Sequence, residues 1–310
     1  MKPIVVIGSI NMDLVSTACR IPMPGETVTG KEFQMYSGGK GANQAVGVAR
    51  LGYPCILLGK VGEDIFGQKL RSTLSGFGVD LTHLGQASVA TGTASIVVDD
   101  TGENCIIVTP GANAEVTPTY LETKLDVLQS AGMILLQLEI PISTIEWIIH
   151  QCDRYGIPVM LDPAPAQPLS PSILGSVTWF TPNQTEAAFY SHDAPSPEET
   201  IARLRQAGLH NIILKRGSEG VILANTNAHA GFTPAFAVQA VDSTAAGDAF
   251  NAAFAVALMK GEPAAAAARF ASAAAALSVT RPGAQASLPS ASELTAFLDT
   301  VLGVSDAPGR

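Results

Sequence analysis

Cysteine is scarce in this chain: 310 residues contain 4, Cys19, Cys55, Cys105 and Cys152, far apart and without a C-x-x-C pair. The 5 histidines show no H-x-x-x-H spacing either. This pattern excludes a disulfide framework and a structural zinc site, and it predicts reduced thiols. Positive charge is also in short supply, with 18 Lys and Arg against 27 Asp and Glu for a net charge of -9. A polyanion binder shows a basic face, so DNA, RNA and anionic membrane are set aside as partners. No run approaches the roughly 20 apolar residues that cross a bilayer. The opening MKPIVVIGSINMD reaches polar residues too soon for a signal peptide. Together these absences predict a cytoplasmic protein.

What is present is a large apolar fraction, 47%, enough to fill a sizeable core without covalent staples. Short apolar runs recur, in PIVVIGS, CILLGKVG, MILLQLE, PVMLDPAP, WFTPNQTE and NIILKRGSEG. Between them, residues 42–51, 67–77, 118–130, 142–155, 198–207, 248–259 and 263–278 read as helices. Continuous Val/Ile/Leu runs alternating with helices predict an α/β fold: a three-layer, doubly wound, mostly parallel sheet covered on both faces. Two stretches break the rhythm, 12–37 and 91–110, the second reading as two strands around an Asp-Asp-Thr-Gly-Glu turn. We expect them to form a small β-sheet lid on a single domain spanning 1–303, with a flexible tail at 304–310.

Polar residues collect where the apolar runs end. Asn11 and Asp13 follow the first, Glu139 the third, Asp162 the fourth, Asn183 and Glu186 the fifth, and Lys215, Arg216 and Ser218 the sixth. In an open parallel sheet these ends share one edge, and ligands bind in the crevice beyond it. A single polar residue after a strand is usually only a loop residue; the recurrence beside a glycine-rich loop argues for a site. That loop, SGGKGANQAVGVARLG, frees the backbone around Lys40 to approach a ligand, with Asn43 aimed from the next helix.

The loop is neither of the common phosphate fingerprints. Gly39-Lys40 has Gln34 five residues before Gly39 and no following Ser or Thr, GETVTGKE puts Glu32 at the hydroxyl position, and Gln44 breaks G-x-G-x-x-G. A P-loop enzyme and a nicotinamide dehydrogenase are both disfavoured. Asn11 and Asp13 lie two apart on an extended segment and share a face. They suit a polyol, and equally an Asx-turn that ends the strand.

In VDSTAAGDAFNAAFAV, the small residues Ala245, Ala246 and Gly247 leave their N–H groups uncovered at a helix N-terminus, where the macrodipole adds about half a positive charge. Asp248 beside such an anion hole makes sense if the anion is a phosphoryl group in flight and Asp248 takes the proton of the attacking hydroxyl. The helix dipole is expected to keep Asp248 ionised. The plain alternative is a helix cap.

GSINMD, PGET, GGKGANQA, TPNQTEA, KRGSEG and DSTAAGDAFNAA, in this order over nearly the whole chain, resemble the ribokinase branch of the PfkB carbohydrate kinases. The resemblance implies transfer of the γ-phosphate of ATP to a sugar hydroxyl, O5 of D-ribose in that branch, in a homodimer joined through the lid. It implies that Asn11, Asp13, Gly39, Lys40, Gly41, Asn43 and Glu139 hold the sugar and that Asp248 is the base. Asn183, Glu186, Lys215, Arg216, Gly217, Ser218, Gly220, Gly247 and Ser272 would serve ATP, with Glu186 reaching Mg²⁺ through water. A potassium site is implied at Asp242, Thr244, Ser278, Arg281, Gly283 and Ser287. Ser272 departs from the Asn or His usual near the adenine, and Ala245 stands where many relatives have glycine. Met12 should point away from the sugar by alternation. Another sugar or nucleoside acceptor, or a silent sugar-binding protein on the same fold, remains open at this point.

Overall fold

Six parallel strands run in the order Cys55–Leu58, Ile4–Ile7, Met133–Leu136, Val159–Leu161, Trp179–Phe180 and Ile212–Lys215. Val221–Ala224 and Gly231–Thr233 then add an antiparallel edge, giving an eight-stranded sheet. This computed structural model describes residues 1–226 and 231–303; the tail expected at 304–310 lies outside the described residues.

The parallel strand sequences are apolar at every position but the last of Ile212–Lys215, because both faces are covered. Ile4 and Val6 point into one core with Ala42, Val46, Phe254 and Ala271, under the helices Lys40–Arg50, Ala246–Met259 and Ala264–Ser278. Val5 and Ile7 point into the other with Ile145, Ile149 and Leu204, under Ile142–Tyr155 and Pro197–Gln206. The alanine-rich segment at 263–278 is thus a close-packed helix, in which small side chains bring its axis near its neighbour. The expected helix over 118–130 is split into Pro118–Glu122 and Leu125–Ser130. Sequence periodicity also passes over Pro171–Leu174, Gln184–Ser191 and Ala291–Gly303. Gln184–Ser191 has little apolar periodicity and is instead defined by a capping box between Asn183 and Glu186.

The two stretches that break the α/β rhythm form a second, four-stranded sheet. Asn11–Ala18 pairs antiparallel with Gly30–Gly38 and parallel with Gly92–Val98, which in turn pairs antiparallel with Asn104–Thr109. The turn at 99–103 is held by Asp99, whose Oδ1 accepts from the Thr101 and Glu103 N–H groups. The outer strands expose Phe33, Met35, Ile106, Ile107 and Val108. Asn11 starts this sheet only a few residues beyond Ile7, so the second sheet rises directly from the edge where the parallel strands end.

Candidate active site

Asn11 and Asp13 occupy alternate positions on one strand, opposite Gly38 and Tyr36. Met12 between them is fully buried in the core, on the other face. Asn113 fixes the Asn11 amide: its Nδ2 donates to Asn11 Oδ1 at 2.7 Å while its Oδ1 accepts from the Ile10 N–H at 2.9 Å. Asp13 is raised to about 7, first by burial and then by the nearby Glu139 carboxylate. Glu139 Oε2 accepts from Ser9 Oγ at 2.5 Å and from the Lys40 N–H at 3.2 Å, so it ties the first strand's end to the start of the Lys40–Arg50 helix.

The glycines of the loop are required for backbone packing. A Cβ on Gly39, whose φ is 89°, would lie 2.7 Å from the Asn11 nitrogen, and one on Gly41 would lie 2.6 Å from the Gly8 carbonyl carbon. A Cβ on Gly38 would overlap the Asp13 carboxylate. Only glycine lets the helix start cross this closely over the segment carrying Asn11 and Asp13.

Asp248 is buried in the first turn of Ala246–Met259. Asn43 Nδ2 donates to its Oδ2 at 2.9 Å and Gln44 Nε2 to its Oδ1 at 3.1 Å. Burial pushes its carboxyl up to about 6; Lys40 pulls it down, Asp162 pushes it up, and the two amides pull it down. The group is therefore mainly ionised at neutral pH, held so by Lys40 and two amides against the cost of burial. Burial alone would lower Lys40, but Asp248, Asp162, Glu139 and Glu186 around it hold its ammonium above the ordinary lysine range.

The turn ahead of Asp248 differs in one detail from the expected anion hole. Ala246 donates its N–H to the Ser243 carbonyl at 3.2 Å, whereas the N–H groups of Ala245 and Gly247 find no acceptor among the described residues. Ala245, at the cap of this helix, adopts φ 61°, ψ 10°, the left-handed conformation, at a helix start whose first N–H groups have no partner within the helix.

A cleft of about 740 Å³ extends from Lys40 and Asp248 past Ala245, Gly247 and Lys215 to Phe236, Val238 and Ser272. Lys215 Nζ pairs with Asp162 Oδ1 at 2.9 Å and lies 3.5 Å from where a Cβ on Gly247 would be, beside the turn's free N–H groups. Asn183 bridges to Lys215, and Glu186, raised chiefly by burial, closes the capping box by accepting from the Asn183 N–H at 2.7 Å. Gly217, Ser218 and Gly220 line the same cleft. Arg216 does not: its guanidinium pairs with Glu219, and its side chain lines a separate depression with Glu198, Arg205 and Phe232. Ser272 also lines the cleft, and its Oγ is buried without a partner among the described residues.

A sequence profile described as pfkB family carbohydrate kinase matches residues 1–291. The chain belongs to that family. It is 41% identical to a ribokinase of Bacillus subtilis, over 96% of this chain and 100% of the relative. The crystal structure of a Thermotoga maritima ribokinase superposes with a TM-score of 0.89 at 40% identity, covering 96% of this chain and 100% of that one. The Arabidopsis thaliana ribokinase complexed with ribose and ATP superposes with a TM-score of 0.90 at 34% identity, over 96% and 98% of the two chains.

In this pfkB family member, the residues implied for potassium fall on two segments that Asp242 joins. Its Oδ1 accepts from the Thr244 N–H at 2.9 Å and its Oδ2 from the Gly283 N–H at 2.8 Å. The Ser278 and Ser287 hydroxyls donate to the carbonyls of Ala275 and Ala284, and the Arg281 guanidinium turns away to Glu293 at 2.8 Å. Ser9, Gln44, Asn113 and Gln137 complete the buried polar framework and are not singled out by sequence as site residues. Asn113 lies in the TPGAN segment, far along the chain from Asn11, and no local pattern announces such a contact. Gln44 was visible only as the residue that breaks a dinucleotide fingerprint.

Proposed function

We propose that the protein is an ATP-dependent kinase that phosphorylates D-ribose at O5 to give D-ribose 5-phosphate. The observation that carries this reading is the placement of Asp248: a buried carboxylate held by Asn43 and Gln44 in a helix turn with free N–H groups, lining a cleft of about 740 Å³ together with Lys40, Lys215, Asn183 and Glu186. Asn11, Asp13 and Asn43 would form the polyol end, with Asn43 also donating to Asp248 through its Nδ2. Gly39, Lys40, Gly41 and Glu139 shape that end; Gly41 acts through its close approach to Gly8.

In the reaction, Asp248 accepts the proton from the sugar hydroxyl as its oxygen forms a bond to the γ-phosphorus. The bond from that phosphorus to the β,γ-bridging oxygen breaks, and its electron pair leaves with ADP. The free N–H groups of Ala245 and Gly247, with Lys40 and Lys215, face the charge on the transferring group. A loose transition state asks mainly for this positioning, and a weak base suffices.

Among the described residues no cluster of three or more His, Cys, Asp or Glu side chains could hold a metal. That fits a Mg²⁺ held mostly by phosphates and water, with Glu186 and Asn183 as its protein partners. Bound with ATP, Mg²⁺ would neutralise charge on the phosphates. Potassium would sit where Asp242 draws 242–244 against 278–287, a region rich in carbonyl and hydroxyl oxygens. Two copies would pair through the second sheet, whose outer strands expose apolar side chains, and that sheet would serve as a lid over the sugar.

The test is ADP production from MgATP with D-ribose, 2-deoxyribose, fructose and adenosine in parallel, each in potassium and in sodium buffer. The expected result is a rate highest with ribose and raised by potassium. A higher kcat/KM for another acceptor would replace the substrate assignment, and equal rates in the two buffers would remove the potassium site.

A further inference from the structure

Gln44 is almost fully buried and uses its whole amide. Its Nε2 donates to Asp248 Oδ1 and to Asp162 Oδ2, both at 3.1 Å, and its Oε1 accepts from Gln137 Nε2 at 2.7 Å. One NH₂ group thus sits between two buried carboxylates, and Asp162 binds Lys215 on its other oxygen. Because Gln137 occupies the Gln44 carbonyl, the amide cannot flip without turning an oxygen toward both carboxylates. Its orientation is therefore set by the network.

We propose that Gln44 is a positioning residue for the phosphoryl-transfer step: its amide holds the Asp248 carboxylate in place and connects it to the Asp162–Lys215 pair at the nucleotide end. The proposal rests on the reading of Asp248 as the base.

The Asp162 carboxylate pushes the Asp248 carboxyl up, and the Gln44 amide donates to both, so it offsets that repulsion at Asp248. Lys40, on the same helix as Gln44, compensates both from the cleft side, while Glu139 and Glu186 add negative charge around Lys40. Asn43 holds the other Asp248 oxygen. Removing the Gln44 donor leaves Asp248 with Asn43 and Lys40 alone against Asp162 and burial, so its carboxyl rises from about 6 toward neutrality. Asp162 keeps Lys215, so the loss falls mainly on the base.

The experiment compares pH profiles of kcat and kcat/KM for the native protein, Gln44→Met and Gln137→Met. Met fills a similar volume without a donor. In Gln44→Met the acid limb should move up by about one pH unit from about 6, which leaves roughly half of Asp248 ionised at pH 7: kcat should fall about twofold there, by about tenfold on the acid limb below pH 6, and recover at pH 8.5, while the sugar KM changes much less. Gln137→Met disturbs the same buried region and touches neither carboxylate, so its acid limb should stay in place. A pH-independent loss in Gln44→Met, or the same profile in both variants, would reduce Gln44 to packing and overturn the proposal. Asp248→Asn, made alongside, should lose at least about 100-fold in kcat with sugar binding retained. Near-native kcat in that variant would overturn the base assignment itself, a result distinct from failure of the Gln44 role. If Gln44→Met does not fold, Gln44→Ala supplies the same test, because it removes the donor without adding charge or bulk: the same upward move of the acid limb is expected, and a pH-independent loss would overturn the proposal.

Discussion

Asp13→Asn should weaken sugar binding and stabilise the empty protein in the same stroke. The carboxyl of Asp13 is raised from 3.8 to about 7 by burial and by Glu139. A carboxyl raised in the folded state favours folding fully only below about pH 4, and that contribution is lost as pH rises through 7. At pH 8 the penalty for burying the charge is therefore complete, about three pH units at 1.36 kcal/mol each, or about 4 kcal/mol as a ceiling. At pH 5 the folded group is protonated and only about 1.6 kcal/mol remains. Relaxation around the side chain halves such figures, so Asn should add about 2 kcal/mol at pH 8 and less than about 1 kcal/mol at pH 5. In a protein of this size that is a Tm rise of about 4 °C at pH 8 and about 1–2 °C at pH 5. Loss of a charged acceptor for a sugar hydroxyl should meanwhile raise the ribose KM by about 10- to 100-fold, with little change in the ATP KM. Thermal melts of the ligand-free protein at the two pH values, with steady-state kinetics at pH 8, measure both. A variant destabilised equally at both pH values, or stabilised more at pH 5, would refute the burial argument; an unchanged ribose KM would remove Asp13 from the sugar end.

Ala245→Gly should keep kcat within about twofold and change stability by no more than about 1 kcal/mol in the favourable direction, since relief of a left-handed alanine outweighs the added freedom of glycine in the unfolded chain; a clear loss of stability in a thermal melt would show that this turn is unstrained. Ile107→Lys places a charge on an exposed outer-strand position and should convert a dimer to monomers in sedimentation velocity while leaving the Tm within about 2 °C. A dimer that survives this change would mean that the second sheet is not the interface.

The sequence by itself determined the α/β layering, because strands buried on both faces must be apolar at every position and those runs were plain in the chain. It also placed Asp248 behind three small residues, and it marked the strand ends where Asn11, Asp13, Asn183 and Lys215 lie. These are local facts, readable within a few residues. Only the tertiary structure decided which polar groups meet. Asn113 reaches Asn11 across 102 positions and Gln44 reaches Asp248 across 204, and no periodicity records either contact. It likewise showed the loop glycines at a close crossing of two backbone segments, turned Arg216 away from the cleft, and took one N–H of the expected anion hole into a turn. The ionisation of Asp248 is the sharpest case. A helix dipole acts over one turn and can be read from sequence, whereas burial, a lysine, a second carboxylate and two amides act through space. Their balance exists only once the first helix, the ends of the parallel strands and the Ala246–Met259 helix have come together.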